Sequence, residues 1–171
     1  MVADGILLRV KGLTKKFPGV VALDGVDIEA RAGEIHGICG ENGAGKSTLI
    51  KMLTGAHTPD SGTIEFDGVT YTSLDPRRAM GIGIGCIYQE LNLIPHLSVA
   101  ENIFLGREIY RSESLNILDR AQMNAKAAEL LADLGLAVSP TARLGTLGVG
   151  HQQMVEICRA VWSNAKLIIM D

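Results

Sequence analysis

Apolar residues in this chain form short runs and partial alternations up to about residue 94, then helical stripes. Ile-Leu-Leu-Arg-Val at 6–10 and the stretch 20–30 predict two strands around a turn, Lys15-Lys16-Phe17-Pro18-Gly19. The second alternates through Val21, Leu23, Val26 and Ile28, as an antiparallel strand with one wet face does. Glu-Ile-His-Gly-Ile-Cys at 34–39 is mostly apolar and predicts a short buried strand, and 47–53 predicts a helix with one apolar face. Thr58-Pro59-Asp60-Ser61-Gly62 signals a turn, followed by a strand at 63–66 that Asp67-Gly68 closes. Asp75-Pro76 opens a short helix that stops by Gly81-Ile82-Gly83, and 84–88 predicts another buried strand.

From Pro95 the period becomes helical. Ser98 caps a helix, with Glu101 three residues on completing a capping box. Asp119 caps a longer one, where Met123, Ala127, Leu130, Leu131 and Leu134 share a face and Gly135 ends it. Ser139-Pro140-Thr141 is a connector, and 144–150 is a glycine-rich loop. In the amphipathic stretch 151–162, Met154, Val155, Cys158, Val161 and Trp162 are expected to face inward, with Trp162 as the anchor. Lys-Leu-Ile-Ile-Met-Asp at 166–171 reads as a buried parallel strand ending in a carboxylate.

Composition narrows the class. A chain of 171 residues, 47% hydrophobic and 20% charged, suits one soluble globular domain with a real core. A net charge of −3 gives no nucleic-acid footprint. No apolar run approaches a membrane span and no leader pattern precedes the first strand, so the chain is expected to stay where it is made. Cys39, Cys86 and Cys158 sit far apart among apolar residues, which predicts core thiols in a reducing cytosol. His36, His57 and His96 share no metal-ligand spacing and read as structural or solvated. Arg77-Arg78 reads as a solvated helix face.

The chemistry starts at Gly40-Glu41-Asn42-Gly43-Ala44-Gly45-Lys46-Ser47-Thr48, which fits the phosphate-loop pattern G-x-x-x-x-G-K-[ST]. Its four fixed positions match by chance in roughly one chain of this length in a hundred. The glycines let successive N–H groups turn inward and cradle a phosphate at the positive end of the following helix. Lys46, expected as a solvent-facing charge, would reach the β- and γ-phosphates, and the Ser47 hydroxyl would bind Mg²⁺. These residues predict a site for a nucleoside triphosphate. Asp171 closes an apolar run at the sheet edge where ligands sit in α/β folds, and there it would hold Mg²⁺ directly or through water. Gln89 also ends an apolar strand, within reach of the metal or the attacking water. Phe17, in a turn, suits either loop packing or ligand stacking.

Phe17, Gly40–Thr48, Tyr88-Gln89-Glu90, Leu147-Gly148-Val149-Gly150-His151-Gln152-Gln153 and Leu167–Asp171 occur together and in order. This set resembles the ATP-binding cassette of ABC transporters over essentially the whole chain. The stretch from Tyr88 to Arg107 is similar to the first cassette of bacterial ribose/galactose/xylose-type sugar importer ATPases, in which two cassettes are fused. The resemblance implies an α/β fold with a P-loop NTPase core over 1–94 and 151–171. It also implies an antiparallel β-subdomain and an inserted helical subdomain over 95–150 that ends in a signature loop. By position, Phe17 would stack on adenine, Lys46 and Gln89 would serve catalysis, and Ser47, Gln89 and Asp171 would form the metal side. Leu147, Gly148, Val149, Gly150 and His151 would face the γ-phosphate on an opposite cassette. The Gln89–Leu105 region would face a membrane permease on the inner side of the cell membrane, with a sugar-binding protein as indirect partner.

Two departures stand out. The family's signature has serine at 148 and glutamine at 151, where this chain has Gly148 and His151, so the hydroxyl that would reach the γ-phosphate is missing. The family also continues past Asp171, with the catalytic glutamate next. The resemblance therefore implies a cassette truncated on its C-terminal side, which by itself binds ATP without hydrolysing it. Three other readings stay open: a cytosolic ABC protein without a permease, a nucleotide-binding module without turnover, and a small-molecule kinase.

Overall fold

The computed structural model describes residues 5–88, 92–112 and 114–171. They form two compact units, one running to Gly85 and including Asp171, the other Cys86–Met170. The first holds β1 (Ile6–Phe17), β2 (Val20–Arg31), α1 (Lys46–Leu53), β3 (Ser61–Phe66), β4 (Val69–Tyr71) and α2 (Pro76–Ile82). Its antiparallel sheet runs β2-β1-β3-β4, with Val10 paired to Ile28 on one side and Ile64 on the other. One face of that sheet buries Leu8, Val10, Leu13, Ile64 and Phe66, and α1 buries Leu49, Ile50, Met52 and Leu53. Each such side chain contributes about 1.5–3 kcal/mol on leaving water. Asp75 caps α2 by accepting from the Arg78 N–H, with Pro76 opening the helix.

Several expectations fail in this unit. The first turn is only Pro18-Gly19, and Phe17 ends β1 opposite Val20. Cross-strand pairing carries the hairpin out through Lys15 and Lys16, and at its tip Val21 is exposed rather than inward, as is its neighbour Val20. The stretch 34–39 forms no strand. Ile35 is 100% exposed, and Ile38 and Cys39 are exposed too, so Cys39 is not a core thiol. A strand needs a neighbour for its N–H and C=O groups, and no strand of the described residues pairs with this one. What structure it has is local: the Glu34 carboxylate accepts from the Arg31 N–H and contacts His36, which together lower its pKa.

The second unit continues β5 (Ile84–Ile87), cut by the unit boundary, into α3 (Val99–Phe104), β6 (Tyr110–Ser112), β7 (Ile117–Leu118), α4 (Arg120–Asp133), α5 (Val149–Trp162) and β8 (Leu167–Met170). The Ser98–Glu101 capping box is present in full, and Ser98's N–H and hydroxyl hold the Glu101 carboxyl below its usual range. Asp119 caps α4 on the Gln122 N–H. The core joins Val99, Ile103 and Phe104 of α3, Met123, Ala127 and Leu131 of α4, and Val155 and Cys158 of α5. Trp162 packs edge-on against Phe104 at 4.8 Å between ring centroids. Val161 is exposed, not inward, because the buried stripe of α5 repeats through 155, 158 and 162 and leaves 161 on the flank. β5 pairs with β8, but both are half-covered, and Met170 is exposed where a buried strand was expected. Among the described residues no helix is long and apolar enough to cross a membrane.

Candidate nucleotide site and signature loop

The exposed stretch 34–39 leads into the loop at 40–45 and so into α1. Gly43 and Gly45 have φ of 85° and 90°. Gly45 is dictated twice, since a Cβ there would lie 2.4 Å from the Ala22 carbonyl oxygen and 2.7 Å from Leu23 Cδ2. A Cβ on Gly40 would sit 3.3 Å from that of Ala44, whose N–H donates to the Glu41 carbonyl. The first helical bond runs from the Leu49 N–H to the Gly45 carbonyl at 2.9 Å. The N–H groups of Lys46, Ser47 and Thr48 therefore have no acceptor within α1. No acidic residue occupies its first turn, which leaves the positive helix end for an anion. Lys46 is half-buried rather than solvent-facing. Its Nζ donates to the carbonyls of Gly40 at 2.7 Å and Glu41 at 2.8 Å and so spans the loop, leaving one of three ammonium donors for a ligand.

Ser47 lies in the first turn of α1, and its hydroxyl is 3.4 Å from Asp171 Oδ1 across 124 positions of sequence. Both side chains are exposed, and hydroxyl and carboxylate oxygens are the donors Mg²⁺ takes. Two of the three expected metal-side residues thus meet. The third, Gln89, lies outside the described residues.

Phe17 is 37% exposed at the end of β1. His57 meets its ring edge-on at 5.5 Å, and Lys15 Nζ lies 5.6 Å from the ring centre. Asp60 fixes this strand end, accepting from the Lys16 N–H at 2.6 Å and Lys15 Nζ at 3.0 Å, and those donors lower its pKa. Sequence alone reads His57 as structural or solvated and Asp60 only as part of a turn. The turn at 58–62 flags Asp60 as seeking donors, but its partners lie 44 and 45 positions upstream, where pattern does not reach.

The glycine-rich loop at 144–150, expected to be the signature loop, belongs to the second unit. A 3-10 turn, Leu144–Thr146, precedes half-buried Leu147 and the helix cap Gly148. Gly148 makes no side-chain cap bond, and Val149, Gly150 and His151 are exposed. Gln152 Nε2 steadies the loop by donating to the Leu147 carbonyl at 2.8 Å. No acidic residue lies in the first turn of α5, so this helix too presents an uncompensated positive end.

A phosphate-type loop, a facing carboxylate and a second glycine loop opening a long helix are the parts of a nucleotide-binding cassette. Residues 23–171 match the ABC transporter family, and the chain belongs to it. A ribose import ATP-binding protein (RbsA 1) of Streptomyces avermitilis is 54% identical over 96% of this chain and 31% of its own length. A ribose import ATP-binding protein of Rhodopirellula baltica is 49% identical over 100% of this chain and 33% of its own. The chain thus spans about a third of the curated relatives it matches. A nucleotide-free ATP-binding cassette from an ABC transporter superposes with a TM-score of 0.82 at 33% identity, covering 97% of this chain and 68% of that one. A cassette dimer in a post-hydrolysis state, bound to ADP and Pi, gives 0.77 at 28% identity, covering 96% and 73%.

Proposed function

We propose that this chain is the nucleotide-binding part of a sugar importer's ATPase, coupling MgATP binding and hydrolysis to carbohydrate uptake. One observation carries the reading: Ser47 and Asp171 meet beside a loop that Lys46 holds closed. The N–H groups of Lys46 to Thr48 and the free donor of Lys46 bind the phosphates, and the Phe17 ring takes the base. Ser47 and Asp171 hold Mg²⁺, which supplies charge neutralisation for phosphoryl transfer, and Gln89 orients water. Leu147 to His151 meet the γ-phosphate of an opposite cassette. The Gln89–Leu105 stretch docks on a permease at the inner membrane face, with a sugar-binding protein delivering the substrate. In this reading 1–94 and 151–171 are the nucleotide core and 95–150 is the helical insertion.

The test is to reconstitute the whole polypeptide with its permease in proteoliposomes holding MgATP, and to follow labelled ribose, galactose and xylose. ATP-dependent uptake of at least one sugar, lost in Lys46→Ala, is expected. MgATP binding without uptake of any sugar would favour an ABC protein that works without a permease.

A further inference from the structure

Three residues outside the nucleotide and signature sets hold one stretch of irregular backbone. The Ile94 N–H donates to Asn102 Oδ1 at 2.7 Å, and Asn102 Nδ2 donates back to the Ile94 carbonyl at 3.0 Å. The same nitrogen donates to the Ser98 carbonyl at 2.9 Å, so this buried amide has both donors and its acceptor in use. Two residues earlier the pattern repeats from another helix. The Asn92 N–H makes a long 3.5 Å contact with Glu156 Oε1, and Arg159 Nη1 donates to the Asn92 carbonyl at 3.2 Å. The main-chain groups of 92 and 94 are thus paired as alternate residues beside a strand would be, but by side chains of α3 and α5.

Glu156 is the informative member. It is 5% exposed, and its second oxygen is buried with no hydrogen-bond partner among the described residues. Burial pushes its carboxyl up, against the pull of the Asn92 N–H and Arg159. An apolar residue at this place would fold more cheaply, and among the described residues the one group the carboxyl meets is the Asn92 N–H. Glu156 and Arg159 are successive neighbours on one side of α5, and α5 starts at Val149, directly after Gly148. From Gly148 to Glu156 the helix spans about 12 Å.

We propose that Glu156 and Arg159 are positioning residues that tie the 92–94 stretch to α5, so that movement of the permease-facing stretch and of the signature loop is one movement. This rests on the importer reading of that stretch. Within it, α5 is a rod held in its C-terminal half at Asn92 and carrying the signature loop at its N-terminal end.

The test uses the full polypeptide with its permease and compares wild type, Glu156→Ala/Arg159→Ala, and the conservative pair Glu156→Gln/Arg159→Lys. Hydrogen exchange at the amides of Asn92 and Ile94 is read beside MgATP affinity, thermal midpoint and permease-stimulated ATPase. In the alanine pair, exchange at Asn92 should rise at least tenfold and stimulation fall at least tenfold, with MgATP affinity within twofold of wild type. The conservative pair should recover stimulation to within about threefold of wild type. Unchanged exchange at Asn92 would overturn the clamp. Faster exchange with full stimulation, or loss of stimulation that only tracks a fall in thermal midpoint, would overturn the coupling role. Wild type that the permease does not stimulate would instead overturn the importer reading, and the coupling role with it.

Discussion

Two glycine-rich loops open two helices in this chain, and they hold their glycines for different reasons. In the loop at 40–45 the chain itself dictates the residue: Gly45 has φ of 90° and a Cβ would strike the Ala22 carbonyl at 2.4 Å. In the loop at 144–150 only Gly145 is pressed from within, its would-be Cβ lying 3.0 Å from the Pro95 carbonyl oxygen. Gly148 and Gly150 have negative φ and open space around them. The first loop is shaped by its own fold. In the second, no contact of the described residues requires glycine at 148 or 150.

The sharpest way to break this contrast is to add one methyl group to each loop. Gly45→Ala should cost about 2–5 kcal/mol, from a left-handed backbone and an overpacked contact. Gly150→Ala, inside α5, should gain about 0.5–1 kcal/mol instead. Urea midpoints of the two variants check this, and equal losses would erase the distinction. Next in size is Lys46→Ala. Hydrogen bonds to a charged group are worth about 1.5–3 kcal/mol, so MgATP affinity should fall roughly 10- to 100-fold while circular dichroism keeps its wild-type shape. A fluorescent ATP analogue reads the loss, and unchanged affinity would remove the phosphate role from the first loop.

Phe17→Ala should cost ATP about 1–3 kcal/mol, the worth of base stacking on an aromatic ring, and inorganic triphosphate far less. Competition titrations separate the two ligands, and equal losses would return Phe17 to packing against His57. The smallest effect is expected at Gly148→Ser. Serine and glycine differ by only a few tenths of a kcal/mol as helix caps, and the position is open. Stability and steady-state ATPase of the full polypeptide should barely change. A tenfold rise in turnover, about 1.4 kcal/mol of barrier, would show that the bare position limits an active site.

What was legible in the sequence follows from how far each signal reaches. The caps at Asp75, Ser98 and Asp119 were readable because a cap and its N–H lie three residues apart. The meeting of Ser47 with Asp171 was readable because both residue types sit in patterns tied to known chemistry. Phe17 was misplaced because strand pairing across the hairpin, not local composition, decides where β1 ends. The stretch 34–39 has a strand's composition and lacks a strand's neighbour, and sequence pattern reports only the first. Val161 fell within the apolar stripe on paper but sits on its flank in α5. The clamp on 92–94 left no such trace. Glu156 is one of the polar positions between the apolar residues of 151–162, and nothing local says that it is buried or that its partner lies 64 residues upstream.

The bareness of 34–39 has a consequence for the thiols. Cys39 is exposed at the end of this stretch, Cys86 is half-covered, and Cys158 is fully buried with its thiol pushed away from ionisation by burial. Because the thiolate is the reacting form, a maleimide dye should modify the native chain first at Cys39. Its labelling rate then serves as a ruler for backbone cover: any strand that comes to lie along 34–39 will shield the sulfur and slow the dye. A thiol expected in the core is thus the one that reports on cover over 34–39.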